Sequence, residues 1–398
     1  MTGRNIVCAL EGLELPAIVV DLDAFDRNLE RHLKVARAHG LSLRFATKSI
    51  RVRALIKRAH AGSGARGLMT FTVAEAVALA SSGLDDLFVA YPTLQPTAFS
   101  ALADLTQRGT NVSLAVDSAE AVERLTAVGN ERGVALRVVL CIDMSLRALG
   151  VHVGVRRSPL RTPTDVVALA EKARDAGLVV HGLMGYEAQV AGLGDDSSFD
   201  PAPVRFAKRA IRAASMRELS DRRSEIAETL CARGFQLAFV NGGGTGSMDL
   251  TTKETGVTEV SAGSGLFKPL LFDAFKSAFV RELEPACFFA LEAVRRPAPG
   301  FVTCLGGGYI ASGSHGPEKL PRPVWPAGLG LTGAEGAGEV QTPLSGEGAD
   351  AVRLGSPVLF RHAKAGEVME RLREVLLVRA GEVVDRVPTY RGEGLCFV

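Results

Sequence analysis

Apolar residues along this chain fall into short runs, separated by longer stretches in which they recur every three or four positions. The short runs cover residues 18–20, 43–46, 67–71, 86–91, 111–116, 136–142, 178–183, 236–240 and 258–260. Several are apolar throughout, as strands of a parallel sheet buried on both faces must be. The stretches between them carry helix signals. Thr72 and Glu75 form a capping-box pair at the head of 72–82. Ser118 followed by Glu120 opens a helix over 118–131, and 164–176 carries Val166, Val167, Leu169 and Ala170. Residues 204–233, charged along one side, read as one long helix or two short ones.

With the first run set aside, eight strands remain, and eight βα units are what a TIM barrel requires. A doubly wound open sheet would place phosphate-binding glycines after its first strand. Here two glycine turns follow the seventh and eighth strands of the count, where barrels often bind phosphate. Past about residue 285 the pattern changes. Short extended runs at 301–305, 355–360, 373–378 and 381–384, broken by Gly and Pro, predict a mostly antiparallel β domain. Residues 313–348, rich in Gly, Pro and Ser without a period, predict a long loop. The expected fold class is α/β: a TIM (β/α)8 barrel with a C-terminal antiparallel β domain.

Composition narrows the function. At 398 residues the chain exceeds the usual single domain. Its 47% hydrophobic and 23% charged residues are those of an ordinary globular protein. A net charge of +2 directs it at neither nucleic acid nor an anionic membrane. No apolar run is long enough to span a bilayer. The segment from Met1 to Glu11 has too short an apolar core, and too early an acid, for a signal peptide. Cys8, Cys141, Cys231, Cys287, Cys304 and Cys396 are dispersed and never paired as C-x-x-C, which fits buried thiols of a reducing compartment. A cytoplasmic enzyme with a small-molecule partner is expected, with no nucleic acid and no membrane.

Lys48 closes the run Leu43, Arg44, Phe45, Ala46, Thr47, at the strand end where α/β barrels keep their chemistry. On position alone a surface lysine is the commoner reading. The basic residues Arg51, Arg53, Lys57 and Arg58 of a helix starting there already supply its charged face. The glycine turns are Gly242, Gly243, Gly244, Thr245, Gly246 and then Gly263, Ser264, Gly265. Their backbone N–H groups and the Thr245 hydroxyl can cradle a phosphate, although glycines also punctuate ordinary loops. An amine able to form a Schiff base, set against a phosphate cradle, points to pyridoxal 5'-phosphate. Asp143 and Arg147 form either a salt-bridged loop or a site for a carboxylate or phenolic oxygen. Tyr186 can stack on a pyridine ring or act as acid/base, or be a structural tyrosine. His362 and Lys364, two apart, share a face if their stretch is extended, and a lone histidine is more often structural.

Taken together, the chain resembles the fold-type III pyridoxal-phosphate enzymes, the group containing alanine racemase, and more closely the branch of D-threonine aldolase and D-serine dehydratase. The resemblance rests on the order of Leu15 to Asp21, Asn28, Lys48, Ile142 and Asp143, Leu149 to Val151, Gly182 to Met184, Gly242 to Gly246, Thr258 to Ser264, His362, and Gly381 to Asp385. It implies a barrel over 24–284, a β domain made of 1–23 plus 285–398, and a homodimer whose second subunit completes the site. It implies that Lys48 is the Schiff-base lysine, that Tyr186 stands where alanine racemase has a ring-stacking histidine, and that Gly243, Gly244, Thr245, Gly246, Gly263 and Ser264 hold the phosphate. Arg147 stands one residue earlier than the arginine of the racemase pattern, and Tyr309 is the nearest match to its second-domain tyrosine. The aldolase and dehydratase branch holds a divalent metal through His-x-Asp or His-x-Cys, where this chain has His362 and Lys364. A lysine ammonium is a poor ligand, so no metal is expected and Lys364 would supply the ion's charge. The implied function is a lyase, either aldolase or dehydratase/deaminase, on a β-hydroxy-α-amino acid of D-threonine or D-serine type. Lys48, His362 and Lys364 are its expected catalytic residues. An amino-acid racemase or a non-catalytic pyridoxal-phosphate carrier are the alternatives.

Overall fold

Eight parallel strands close into a barrel in the computed structural model, which describes residues 3–62, 64–148 and 150–398. The side chains of Arg4 and Ala148 are also outside the description, as is Leu149 of the motif that ends at Val151. The barrel strands run Ser42–Ala46, Ala65–Thr70, Leu87–Val89, Val112–Val116, Arg137–Ile142, Val179–Gly185, Phe239–Gly242 and Glu259–Ala262, the last pairing with the first. Side chains alternate across the pleat. Leu87, Val89, Leu114, Val138 and Leu140 point outward into the core shared with the helices, while Phe88, Ala115, Val139, Cys141 and Phe239 fill the barrel.

The barrel interior also holds charge. Arg44, fully buried, pairs with the buried Glu259 at 2.9 Å and with Asp86 at 3.1 Å, and its guanidinium lies over the Phe239 ring. Asn241 Nδ2 donates to Glu259 and to the Ser261 hydroxyl, both at 2.8 Å. A buried pair of this kind is strongly destabilised when one partner is removed, because the other charge is stranded.

Helices cover the barrel where periodicity predicts them. Thr72 caps Val73–Ala80 by accepting from the Glu75 N–H, but Glu75 does not return to Thr72: its carboxylate accepts from the Phe71 N–H and from Tyr390. Ser118 caps Ala119–Arg132. Thr162, rather than Thr164, opens Pro163–Asp175, in a capping box with Asp165. The long charged segment is a single helix, Ala202–Ala232. No uninterrupted helix follows Lys48: Thr47–Ser49 is one 3-10 turn, Arg51 takes φ +54, and the helix proper is Arg53–His60.

A second sheet lies outside the barrel. Its main path runs Gly330–Leu331, Gln341–Ser345, Phe301–Leu305, Cys287–Arg295, Ala17–Asp21, Glu374–Arg379, Glu382–Pro388. Pro357–Arg361 also pairs with Cys287–Arg295, and Arg322–Trp325 with Pro357–Arg361. All its pairings are antiparallel except one: Ala17–Asp21 runs parallel to Glu374–Arg379. The first apolar run of the sequence therefore belongs to this sheet, as the eight-strand count requires. The expectation of a structureless loop over 313–348 is corrected: that stretch contributes three short strands. Each is interrupted or bounded by Pro or Gly, which hides it from a propensity reading.

Candidate functional site

Every barrel strand delivers its following loop to one end, and the residues singled out by sequence, Arg147 excepted, gather there. Thr47–Ser49 follows the first strand, and the Thr47 hydroxyl donates to the Met69 carbonyl at 3.0 Å on the second. Lys48, half-buried, donates from Nζ to the hydroxyl of Tyr91 at 2.6 Å. Tyr91 lies two residues past the third strand, and Tyr186 directly follows the sixth.

The two glycine turns dock on one another. Thr245 Oγ1 accepts from the Gly265 N–H at 2.9 Å, and a Cβ added at Gly265 would lie 2.6 Å from the Thr245 methyl. Ser264 is joined to the lysine turn, its hydroxyl 2.9 Å from that of Ser49. Tyr186 lies against the first turn: a Cβ on Gly244 would sit 3.3 Å from its ring. Beneath this turn the buried Glu187 accepts from Arg223 at 2.9 Å, from the Gly243 N–H at 3.2 Å and from the Ser247 hydroxyl at 2.9 Å, and also from Thr251. Arg212 takes the Gly246 carbonyl at 3.1 Å. Among the described residues, the backbone N–H groups of Thr245, Gly246 and Ser264 have no acceptor. Three free N–H groups on two docked turns, one turn bonded to the neighbour of Lys48, fit a phosphate-bearing aldehyde such as pyridoxal phosphate.

The C-terminal stretch reaches the same place. Gly366, at φ +89, presses on the Lys48 backbone so closely that an added Cβ would stand 2.0 Å from the Lys48 carbonyl oxygen. Only glycine satisfies both that contact and that φ. This contact carries His362, Lys364 and Glu367 to the mouth of the barrel. They line a cavity of about 40 Å³ with Tyr309 and Arg371. Lys364 Nζ donates to the Ser312 hydroxyl and pairs with Glu367, both at 2.9 Å. His362 is buried, and neither ring nitrogen makes a well-aligned hydrogen bond, although the Cys287 backbone lies near enough to favour the cation slightly. Burial dominates, helped by Arg361, and holds its pKa down at about 3, so the imidazole is neutral at physiological pH.

A divalent metal does not fit these residues. Lys364 offers an ammonium, which has no free lone pair, and it is engaged with Glu367 and Ser312.

Arg147 is not brought to this cluster by any contact of its own. It stands half-exposed on a hairpin of Leu146–Ala148 and Val151–Val153, paired to Asp143 at 2.9 Å. Asp143 is buried, and although burial alone would raise its pKa, Ser145 and Arg161 hold it below the usual carboxylate range. The guanidinium that does reach the cluster is that of Arg157, 5.8 Å from the Tyr186 ring centroid. Sequence reasoning missed Arg157, Tyr91 and Glu187. Tyr91 and Glu187 had a usable signal, since each lies at or just past the C-terminal end of a barrel strand. Arg157 lies in an irregular loop with no pattern to mark it.

Comparison with known families matches residues 20–269 to the alanine racemase N-terminal domain. A D-threonine aldolase of Arthrobacter sp is 26% identical over 312 residues, covering 78% of this chain and 76% of that protein. A 3-hydroxy-D-aspartate aldolase of Paracoccus denitrificans (strain Pd 1222) is 28% identical over 256 residues, 64% of this chain but only 60% of that relative's length. Among solved structures, D-threonine aldolase from Filomicrobium marinum superposes with a TM-score of 0.82 at 22% identity, covering 97% of this chain and 96% of that one. D-threo-3-hydroxyaspartate dehydratase from Delftia sp. HT23 gives a TM-score of 0.77 at 22% identity, with 96% and 98% covered. These structures share the fold. More than half of the chain lies inside the family match, around a barrel whose lysine and glycine turns meet at one end, so the chain belongs to the alanine racemase N-terminal domain family.

Proposed function

We propose that the protein is a pyridoxal-phosphate-dependent lyase acting on a β-hydroxy-α-amino acid of D-threonine or D-serine type. The reaction is aldol cleavage or dehydration with deamination. The observation that carries this reading is the meeting of three segments distant in sequence: the Lys48 turn, the docked glycine turns, and the His362–Glu367 stretch seated on the Lys48 backbone. The curated relatives named above act on hydroxy amino acids, which supports the substrate class.

When bound, pyridoxal phosphate supplies an electron sink for charge developing at the substrate's Cα. Lys48 provides the nitrogen that anchors it and, in dehydration, takes the α-proton on Nζ. The N–H groups of Thr245, Gly246 and Ser264, with Gly243, Gly244 and Gly263 shaping the turns, hold the phosphate. Tyr186 flanks the ring, and Arg157 joins Arg147 in the proposed cofactor set because its guanidinium already lies over Tyr186. His362, whose two ring nitrogens both lack a well-aligned partner, accepts the β-hydroxyl proton on one of them. Lys364 holds the substrate oxygen with its ammonium, in the role a divalent ion would otherwise fill.

The rest of the proposal is a barrel unit over 24–284, a β unit of 1–23 plus 285–398, a cytoplasmic homodimer, and no nucleic-acid or membrane partner. No helix among the described residues is long and apolar enough to cross a membrane. Purified protein should show a visible absorbance band that is lost in Lys48→Ala. Incubation with D-threonine and D-serine should yield glycine and aldehyde, or keto acid and ammonia. Formation of the opposite enantiomer alone would overturn the lyase in favour of a racemase. Exhaustive chelation should leave turnover unchanged, and a stoichiometric ion lost together with activity would refute the role given to Lys364.

A further inference from the structure

We propose that Tyr91 is the proton partner of Lys48: it takes the proton from the Nζ ammonium before that nitrogen attacks a carbonyl carbon, and returns it when the nitrogen leaves. This rests on the reading of Lys48 as the covalent lysine and adds a residue that neither the sequence nor the comparisons single out. One N–H bond on Nζ breaks and one O–H bond on Oη forms, so an ammonium and a phenolate become a neutral amine and a neutral phenol.

Geometry leaves few other acceptors. The Tyr91 hydroxyl is 2.6 Å from Nζ, and its ring centroid is 5.3 Å away. No carboxylate among the described residues lies within 4.0 Å of the Lys48 nitrogen. The lysine therefore has a phenol beside it and no acid to lock it as a permanent ion pair. A lysine must shed a proton to act as a nucleophile, and a hydrogen-bonded group of adjustable acidity is the efficient recipient.

The surroundings tune that phenol. Burial works against the phenolate, but Lys48, its hydrogen bond, Arg157 and Lys364 outweigh it, and the Tyr91 pKa falls below its ordinary value. Tyr186, just past the sixth strand, is near enough to feel the Tyr91 charge and stays a neutral phenol. The other three of the chain's four tyrosines go the opposite way. Burial lifts Tyr186 to about 12, and it also raises Tyr309 and Tyr390. Tyr91 is thus the tyrosine placed to ionise first.

The test uses the full-length chain, stripped of cofactor, with circular dichroism to show that each variant is folded. In an ultraviolet tyrosinate titration, the step at lowest pH should vanish in Tyr91→Phe and move to higher pH in Lys48→Met. Pyridoxal phosphate is then added and growth of the visible band is timed across pH. Tyr91→Phe should load about a hundredfold more slowly near neutrality, recover at high pH and reach the same final band. A Tyr91→Phe variant that keeps the first tyrosinate step, or loads at the wild-type rate with the wild-type pH dependence, overturns the proposal. A wild-type protein that never develops a band defeats the covalent role of Lys48 instead, and the tyrosinate titration still decides whether the two side chains are coupled.

Discussion

His32 illustrates how a single buried side chain serves the site without touching it. It is fully buried under the second glycine turn, with Nδ1 2.7 Å from the Asn28 carbonyl, and a Cβ on Gly265 would collide with its ring. Burial drives its pKa down to about 4, against a small opposing pull from Asn28. The folded state cannot bind the proton that the unfolded chain takes up near pH 6.5, so the stability this provides is present above that pH and is lost as pH falls through about 4. His32→Phe should gain about 2 kcal/mol relative to the wild type between pH 6.5 and 4.5, read from urea melts at the two pH values. Lys48 was legible in the sequence because a strand end marks it. His32 and Arg157 were not, because what makes them matter is a partner far away in the chain.

At the scale of elements, the glycine turns were visible because their compositions are unusual and each follows an apolar strand. Cys287–Arg295 was invisible for the opposite reason: its mixture of Phe, Ala, Leu and Glu suits a helix as well as a strand, and only the three strands it pairs with decide the matter. The turns tolerate no added carbon. A Cβ at Gly246 would lie 2.2 Å from the Ala191 carbonyl oxygen and 2.5 Å from the Phe275 ring. Gly246→Ala should lower the melting temperature by several degrees, a cost of about 1–3 kcal/mol, and weaken cofactor retention on dialysis. The helix after the second strand carries another buried group, Glu75, which accepts from the Tyr390 hydroxyl at 2.7 Å. Burial raises its pKa to about 7, above the unfolded value, so its stabilising protonated form is fully present at low pH and is lost as pH rises through 7. Glu75→Gln removes the charge: its carbonyl oxygen accepts from the Phe71 N–H, and its amide donates to the Tyr390 oxygen, reversing that bond. Its stability advantage over the wild type should therefore widen from pH 4.5 to pH 7, to about 3 kcal/mol, and level off above, in thermal melts at each pH.

Across the whole molecule, the last residues of the chain return to the first barrel strand. Tyr390 is buried, donates its N–H to the Arg51 carbonyl at 3.1 Å, and packs edge-on against Phe397, which in turn meets Phe71. Arg51 reaches back to the Lys48 carbonyl at 2.9 Å and pairs with Glu370. Deleting residues 389–398 should leave a folded barrel with a lower melting temperature and faster exchange of the amides of Thr47–Ser49, measured by hydrogen exchange. Unchanged protection there would show that the tail is ornamental. The sequence allowed the barrel to be counted but gave no hint of this return, since the tail is short and its contacts are all remote. The placement of Ala17–Asp21 has its own consequence for biogenesis. One of its flanks is supplied by residues near 290 and the other by residues near 376, so a ribosome must release the chain to beyond residue 378 before that early strand is held on both sides. Until then the barrel can form while its neighbour waits, with an apolar ribbon open to capture by any other unfinished chain.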